Sequence, residues 1–487
     1  MYYHHSFGAM VANPTSPPVL TMEKVLNQLP TEILGLVVRE LPWDDRISLS
    51  CTNRRLRALL MPHLFHQVKA ASAAAEYCYS IFDDPHAPLR RVGHWARKVR
   101  YNLAKAQVAN TSWFLSQSLV LAPNLTRLYL TGFPYHYSLD IQYYILPLAA
   151  QLTHLSMGHG GPRDCTSTIT RPVAPHRLTA TAQPTVLTTT ATATDATPSE
   201  ALFACLMACK RLVSLELIGT QWRLSQAQWT AVLRAHPGLL KLKARGWADD
   251  HFAAALLTGA AHQLELLQLS FHEISGPMLA QIPPCLPYLR SFFLYPLPVR
   301  DSSVVENVHP GVWPHLTYLD MTCSKYDRLP DSAPTEHLAQ LQNRYRQIFR
   351  AKWPHLTHLG LGGLILPGDI FGRIGRQCPR LKSLAIIDCQ ATDKGSRTLL
   401  EQCTQLRHLV LRDVTAPLTA EFLPGKLGST HILDLTIVLR DFNVNWLASV
   451  ACQLSRIKTL TLSKFNKQPN PKDLEQLFPT VKVNYTC

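Results

Sequence analysis

The chain has 487 residues, of which 46% are hydrophobic and 17% charged, and this is the composition of a soluble folded protein. It has no apolar run long enough to cross a bilayer, which excludes a membrane-spanning protein. The formal net charge of +15 indicates an acidic partner, and charge alone leaves open whether that partner is a phosphorylated protein, an acidic segment or nucleic acid.

Residues 1–21 are predicted to form a flexible tail, because they are irregular and contain Pro14, Pro17 and Pro18. They lack the basic start and continuous apolar stretch of a secretory signal, so we expect a reducing compartment, the cytoplasm, the nucleus or both. Several cysteines recur just before a repeat, and we predict buried side chains without disulfide or zinc partners at Cys209, Cys378, Cys403 and Cys452.

Residues 22–69 are predicted to form a compact helical block. Apolar residues recur there at helical spacing, at Ile33, Leu34, Val37, Val38 and Leu41. Thr31 is the predicted cap of this first helix and Pro42 its end, and a later helix is predicted to stop at Pro62. A segment this short cannot bury all its apolar side chains within itself, so some of them are expected to contact a partner.

The block resembles an F-box in the order and spacing of its residues. The matching positions are Leu29, Pro30, Glu32, Ile33, Leu34, Val37, Leu41, Asp45, Ile47, Ser50, Arg55-Leu56-Arg57 and Pro62-His63-Leu64-Phe65. Two positions depart from the family pattern, since Arg46 stands where many members carry leucine and Leu56 where many carry tryptophan.

The resemblance implies a partner. In the F-box family this block binds the Skp-type adaptor of a cullin-RING ubiquitin ligase, and through the adaptor it joins the cullin and RING subunits. The family's contact positions correspond here to Leu29, Pro30, Ile33, Leu34, Val37, Leu41, Ile47 and Leu49. The alternative is that the block only caps the array that follows.

Residues 70–95 are predicted to link the block to that array, as a helix over 70–82 followed by a loop that contains proline. Apolar and polar residues alternate over 99–103, which predicts the first strand. The array itself is predicted over 96–487.

A repeat dominates this last part of the chain. Twelve times a leucine or close substitute is followed three and then five residues later by another apolar residue, usually at intervals of 25 to 27 residues. The repeats begin at Leu125, Leu152, Leu212, Leu239, Leu264, Leu289, Leu316, Leu356, Leu381, Leu406, Ile432 and Ile457. Such an array presents an extended surface, because each unit packs only on its neighbours.

Two insertions interrupt the register. The segment 162–199 is rich in threonine and proline and is predicted to be disordered. The segment 325–352 is predicted to contain an amphipathic helix, because apolar residues recur at helical spacing at Leu338, Leu341, Tyr345, Ile348 and Phe349.

The last two apolar residues of each repeat lie two apart, so on a strand both point inward and their neighbours point outward. Helices need more lateral room than stacked strands, so the sheet is expected to form the concave side. The predicted fold class is an α/β solenoid, with an N-terminal three-helix F-box followed by a curved leucine-rich-repeat array with an inner parallel sheet and outer helices.

The copy that runs from Cys378 through Leu381, Leu384 and Ile386 to Cys389 looks like the cysteine-containing leucine-rich repeat. That variety frequently follows an F-box, so the chain resembles an F-box and leucine-rich-repeat protein over most of residues 22–487. The resemblance implies a substrate-recognition subunit of an SCF-type ubiquitin ligase.

One part of the predicted concave face combines basic and aromatic residues. It comprises Lys241, Lys243, Arg245, Phe293, Tyr295, Tyr318 and Asp320. Cations attract an acidic or phosphorylated segment while aromatic rings provide burial, so this set is the predicted target-binding patch. The alternative is that the lysines are ordinary solvated charges and that Phe293 packs under a neighbouring loop.

The sequence has no Gly-rich phosphate loop, no His-Glu-x-x-His, no Gly-x-Ser-x-Gly and no zinc-binding spacing. We therefore predict no cofactor, no metal and no catalytic activity of its own. A scaffold that does not direct degradation stays open as a second function. Nucleic acid is disfavoured, because neutral residues, Asp320 and Asp434 interrupt the continuous basic stripe it would need.

Overall fold

The structure of the protein is a computed structural model. It describes residues 29–50, 54–65, 67–70, 94, 96–102, 122–131, 141, 145–158, 197–219, 223–270, 272–295, 307–322, 343, 346–362, 369–387, 393–412, 434–438, 459–463 and 482–486.

Three helices open the described chain, α1 (Thr31–Glu40), α2 (Trp43–Ser50) and α3 (Arg54–Phe65). Pro30 precedes α1 with an extended backbone and makes no side-chain cap, so Thr31 belongs to the helix and the predicted cap is wrong. The prediction that Pro62 stops the third helix is also wrong, because α3 continues to Phe65. Leu60 and Leu64 on either side of the proline are both buried, and their packing offsets the lost backbone hydrogen bond.

The three helices enclose a small core of their own. Its buried side chains, spaced four apart on α1 and α3, are Leu34, Val38, Leu56, Leu60 and Leu64. Leu29, Leu49 and Leu59 pack against it while partly exposed.

The rest of the described chain is built on one sheet of 15 strands, in which each strand pairs in parallel with the next along the chain. The first eight strands are β1 (Gln67–Ala70), β2 (Lys98–Asn102), β3 (Arg127–Thr131), β4 (His154–Gly158), β5 (Ser214–Ile218), β6 (Lys241–Arg245), β7 (Leu266–Ser270) and β8 (Ser291–Tyr295). The others are β9 (Tyr318–Thr322), β10 (His358–Gly362), β11 (Ser383–Ile387), β12 (His408–Arg412), β13 (Asp434–Val438), β14 (Thr459–Ser463) and β15 (Lys482–Thr486).

The sheet starts earlier than the sequence suggested. Gln67 to Ala70 form β1 and pair with β2, although the array was predicted from 96. A four-residue strand is too short to show a periodic signal, and it only gains its hydrogen bonds by pairing with β2. Of the predicted linker helix, all but Ala70 lies outside the described residues.

Helices connect several of these strands. They are α4 (Pro198–Ala208), α5 (Gln226–Ala235), α6 (Asp250–Ala255), α7 (Gly276–Cys285), α8 (Ile370–Gln377) and α9 (Asp393–Gln402), with a 3-10 turn at Leu146–Gln151 and a π turn at Leu256–Ala260. Repetition of strand and helix around a parallel sheet is the leucine-rich-repeat type of solenoid.

A single hydrophobic core runs between the sheet and the helices. Buried strand residues such as Leu242 pack in the same cluster as helix residues such as Trp229 and Phe252. Trp229 stacks on Trp247 with ring centroids 4.6 Å apart, and Phe252 meets Trp229 edge-on at 5.3 Å. Because each repeat buries its apolar face only against its neighbours, the strand order follows the chain order.

Threonine hydroxyls fix the register between neighbouring repeats. Just before their strands, Thr153 donates to the carbonyl of Thr126 at 3.1 Å and Thr357 donates to the carbonyl of Thr317 at 3.0 Å. The same bond recurs from Thr317 to the carbonyl of Arg290 at 3.0 Å. Each strand therefore starts level with its predecessor, and outward-facing side chains line up in rows.

The two predicted insertions are described only at their ends. Thr197 and Glu200 form a capping box at the start of α4, so the predicted disordered segment 162–199 ends two residues too late and the rest of it lies outside the described residues. In the second insertion residues 346–348 are helical, and Ile348 and Phe349 are buried.

Three of the four cysteines predicted to be buried are described, and all three are buried. Cys205, Cys209, Cys378 and Cys403 are buried and form no disulfide, and Cys452 lies outside the described residues. Burial raises the pKa of the Cys403 thiol to about 12. Within the described ranges, no helix has the length and apolar character needed to span a membrane.

Candidate functional site

Among the described residues, one face of the sheet is left uncovered by the helices. In β6, Leu242 and Ala244 are buried, whereas Lys241 is exposed and Lys243 and Arg245 are half-buried. The strands β5 and β8 show the same alternation. The predicted inward and outward positions are confirmed in these three strands, whereas in β4 and β10 the third and fifth residues are buried as well. We call the side formed by the first, third and fifth residues of each strand the open face.

Three rings form a stack on the open face. Tyr318 lies between Phe293 and His358, with ring centroids 4.4 Å from the first and 5.3 Å from the second. Burial raises the pKa of Tyr318, and the Asp320 carboxylate raises it further. We call Phe293, Tyr318 and His358 the aromatic row, because they occupy the neighbouring strands β8, β9 and β10.

The structure places the predicted target-binding patch in two separate parts. Phe293, Tyr295, Tyr318 and Asp320 lie together on β8 and β9, while Lys241, Lys243 and Arg245 lie on β6. The strand β7 separates them and presents Leu266, Gln268 and Ser270, so the two parts are about 10 Å apart. Lys243 is nearer to Glu216 on β5, with Nζ 4.0 Å from Oε1.

A larger basic surface extends from β6 in the other direction. The register aligns the first residues of β2 to β6 in one row, Lys98, Arg127, His154, Ser214 and Lys241. The third residues form a second row, Arg100, Tyr129, Ser156, Glu216 and Lys243. We call these two sets the basic rows.

The cations of the basic rows are positioned by aromatic and acidic neighbours. Lys98 Nζ lies 5.2 Å and the Arg100 guanidinium 4.8 Å from the ring centre of Tyr129, so both make cation–π contacts. Glu216 accepts a hydrogen bond from the Ser156 hydroxyl at 3.2 Å besides facing Lys243. The basic rows therefore hold five cations, Lys98, Arg100, Arg127, Lys241 and Lys243, against one carboxylate, Glu216.

His154 lies at the electrostatic centre of this surface. Burial lowers the pKa of the ring, and the charges of Arg127, Lys241 and Lys98 lower it further. Its Nδ1 is 2.9 Å from the hydroxyl of Thr153, which leaves Nε2 as the ring atom free to turn toward a ligand. The ring is thus a neutral, half-buried group that three cations approach.

The basic rows and His358 were not predicted from the sequence. The alternation that selected Lys241 also selects Lys98, Arg127 and His154, so the signal was available. It was hidden by the long insertion between Leu152 and Leu212, which separates β4 from β5 in sequence although they are neighbours in the sheet.

A second candidate surface lies on α1. The described residues include four large hydrophobic side chains that are exposed, and three of them are Ile33 (44%), Leu36 (59%) and Val37 (38%). Their spacing places them on one side of the helix, opposite the buried Leu34 and Val38. We call Ile33, Leu36 and Val37 the apolar triad.

The structure sorts the predicted adaptor contacts by exposure. Pro30, Ile33 and Val37 are exposed, and Leu29, Leu41 and Leu49 are partly exposed. Leu34 was wrongly placed on the surface, because it is 1% exposed and belongs to the core of the block. Ile47 lies within α2, but its side chain is outside the described part of the structure, and Leu36 was missed although it completes the exposed side of α1.

The described residues contain no group of three or more metal-binding side chains.

Comparisons with known proteins give no family assignment. No protein-family model matches the chain, and a search of curated proteins finds no match. Among solved structures, the Rad7 and Elc1 complex of yeast is 13% identical, with a TM-score of 0.42 over 85% of this chain and 96% of that one.

Two further solved structures are similar at the same level. A protein from Bacteroides fragilis is 15% identical, with a TM-score of 0.31 over 57% of this chain and 66% of that one. The Toll–Spatzle complex of Drosophila is 13% identical, with a TM-score of 0.33 over 80% of this chain and 47% of that one. The assignment of the fold therefore rests on the strand order and register of this chain.

Proposed function

We propose that this chain is the substrate-recognition subunit of an SCF-type cullin-RING ubiquitin ligase. The helices α1 to α3 bind a Skp-family adaptor, which connects the chain to the cullin and RING subunits, and the open face binds a target protein. The chain itself has no catalytic group in this role, because it acts by holding the target near the ubiquitin-charged enzyme. Such a subunit works in the cytoplasm, the nucleus or both.

The observation that supports this proposal is the apolar triad. Monomeric proteins rarely expose large neighbouring hydrophobic side chains without a partner, and here Ile33, Leu36 and Val37 share one side of a helix whose other side is already buried. The F-box pattern in the sequence of the same helix agrees with an adaptor as that partner. Burying a side chain of this size contributes about 1.5 to 3 kcal/mol, so three together suffice for tight binding.

The test is binding of the purified full chain to a purified Skp-family adaptor, measured by calorimetry. The variants Leu36→Asp and Val37→Asp place a charge in the apolar triad and are expected to weaken binding at least about ten-fold. The matched control is Ala58→Asp, which adds the same charge to an exposed position on α3. Absence of binding by the unaltered chain would contradict the proposal.

A scaffold that binds the adaptor without directing degradation is the competing function. The cellular abundance of the proteins that bind the open face distinguishes a receptor from a scaffold. The targets of a receptor accumulate when the proteasome is inhibited, and they also accumulate with the Leu36→Asp variant. The ligands of a scaffold keep the same abundance under both conditions.

A further inference from the structure

We propose that the basic rows bind a phosphorylated segment of the target protein, with the phosphate group seated over His154 between Arg127 and Ser214. This proposal rests on the proposed function and specifies the class of target that the open face would recognise.

The geometry brings donors to His154 from both sides. Arg127 and Ser214 are its direct register partners on β3 and β5, about 4.8 Å away on either side. Lys98 and Lys241 occupy the same row one strand further out, on β2 and β6. Long basic side chains reach across one intervening strand, so all of these groups can contact a single anion above the imidazole.

The electrostatics agree with this convergence. Arg127, Lys241 and Lys98 share one row of the open face with His154, and their charges add to burial in lowering the pKa of its ring. The Thr153 hydroxyl donates to the carbonyl of Thr126, so Nδ1 carries the proton of the neutral His154 ring and Nε2 is an acceptor. A bound phosphate places negative charge beside Nε2 and favours a second proton there, and the protonated ring then donates to a phosphate oxygen while the three cations supply further charge. The arrangement is an anion site in which one ring is surrounded by basic groups.

A phosphate fits this site better than a single carboxylate. The basic rows carry a net positive charge concentrated around one point, and a phosphoserine or phosphothreonine brings about 1.5 to 2 negative charges with three acceptor oxygens. Arginine also binds phosphate oxygens in a bidentate manner. A lone aspartate or glutamate would leave most of these donors unused.

A protein segment fits the surroundings better than nucleic acid. A nucleic-acid strand carries a phosphate on every nucleotide and needs a basic path along its whole contact. Beyond β6 the open face presents Leu266, Gln268 and Ser270 and then the aromatic row beside Asp320. The basic surface is therefore local, and an apolar surface follows it.

The spacing of these two surfaces specifies the target motif further. From β4, which carries His154, to β8, which carries Phe293, there are four strand intervals of about 4.8 Å, or roughly 19 Å. An extended peptide covers about 3.3 Å per residue, so this distance corresponds to roughly six residues. We expect a phosphorylated residue with an aromatic or large apolar residue about six positions away.

The experiment uses the full chain and two fluorescent libraries of degenerate 15-residue peptides. One library has a fixed phosphoserine at position 4, and the other has serine there. We expect the phosphorylated library to bind at least about ten-fold more tightly, because each hydrogen bond to a charged group contributes about 1.5 to 3 kcal/mol. Sequencing of the retained peptides should show enrichment of aromatic or large apolar residues near position 10.

The test variant is Arg127→Gln with Lys241→Gln, which removes two charges from opposite sides of His154. The matched control is Arg234→Gln with Arg376→Gln, which removes two charges from exposed positions on α5 and α8. The test variant should lose the preference for phosphoserine, and the control should keep it. Equal binding of both libraries, or equal loss in both variants, would overturn the proposal.

Two further measurements separate the remaining outcomes. The first is competition by random single-stranded DNA. If the DNA binds the chain more tightly than the phosphopeptides do and displaces them, the basic rows are a nucleic-acid surface and the proposal is overturned. Adaptor binding is measured on the same Arg127 and Lys241 variant. If this variant loses its preference for phosphopeptides and still binds the adaptor, the phosphate site is supported. If the unaltered chain binds phosphopeptides and does not bind the adaptor, the phosphate site stands and the proposed function is contradicted.

Discussion

Asp320 lies directly against Gly360, its register partner on the neighbouring strand of the open face. A methyl group placed on Gly360 would lie 2.6 Å from Oδ1 and 2.7 Å from Cγ of Asp320, which is closer than nonbonded atoms approach. The carboxylate therefore covers bare backbone beside the aromatic row, and glycine is required for it to lie there.

This contact predicts that Gly360→Ala displaces the Asp320 carboxylate. We expect a loss of about 1 kcal/mol in the free energy of unfolding, at the lower end of the range for overpacking, because the side chain of Asp320 can rotate on an open surface. In an Asp320→Ala background the same substitution should be neutral or stabilising. Urea unfolding of the four proteins in this double-mutant cycle measures the coupling, and additive effects would contradict the predicted contact.

The relation between Asp320 and Gly360 also shows what the sequence could and could not provide. The repeat spacing predicted both strands and the outward direction of Asp320, since alternation depends only on local backbone geometry. It predicted no contact between residues that are 40 positions apart and separated by an insertion. The stack of Tyr318 on His358 was missed for the same reason, because it follows from the register between β9 and β10.

On α1, periodicity identified the helix but not which side is buried. Leu34 and Leu36 are equally hydrophobic, and only packing against α3 determines that Leu34 faces the core while Leu36 faces outward. Helical spacing alone allows either side to face the partner. The F-box pattern could not resolve this, because it marks positions that are used for folding together with positions that are used for binding.

These two leucines give a prediction that separates folding from binding. Leu34→Ala should destabilise the helical block by about 2 to 5 kcal/mol, because it leaves a cavity in the core. Leu36→Ala should change stability by less than about 0.5 kcal/mol and weaken adaptor binding. Hydrogen exchange of residues 29–65 in the full chain reports the first effect and calorimetry the second. Equal protection in both variants would contradict the assigned orientation of α1.

Two helical glycines should respond to alanine in opposite directions. Nothing lies within 4 Å of the position that a methyl group on Gly35 of α1 would occupy, whereas on Gly375 of α8 it would lie 2.6 Å from Cβ of Gln402. We expect Gly35→Ala to stabilise the protein by about 0.5 to 1 kcal/mol, because alanine loses less backbone entropy in a helix. Gly375→Ala should destabilise it by about 1 to 3 kcal/mol, because α8 and α9 would have to separate.

Urea unfolding of the full chain measures both substitutions, and each serves as the other's control for the intrinsic preference of alanine for helices. A stabilising effect of Gly375→Ala would show that α9 yields without cost and would contradict the close packing of these two helices.

The last prediction concerns His236, which is buried at the end of α5. Its Nε2 lies 2.8 Å from the carbonyl oxygen of Leu206 in α4, and its Nδ1 has no hydrogen-bond partner. Burial lowers the pKa of this ring from its ordinary value of 6.5, the bond to the Leu206 carbonyl raises it, and the nearby Lys210 lowers it again. The neutral ring therefore connects two repeats, and its protonation opposes folding.

Because the folded-state pKa is the lower one, the unfolded chain binds the proton first as the pH falls. The free energy of unfolding should be independent of this group above about pH 7 and should decrease as the pH falls below 6.5, by at most about 1.4 kcal/mol per pH unit. His154 and His358, whose pKa values burial also lowers, contribute with the same sign.

Urea unfolding at pH 7.5 and pH 5.0 tests this with His236→Gln. The variant loses the bond to Leu206 and should be less stable than the unaltered chain at pH 7.5, by about 1 kcal/mol. Its decline toward pH 5.0 should be shallower, because it lacks the group whose protonation opposes folding. Identical declines in the two proteins would mean that His236 titrates in the folded chain as it does in the unfolded one, and would contradict the prediction.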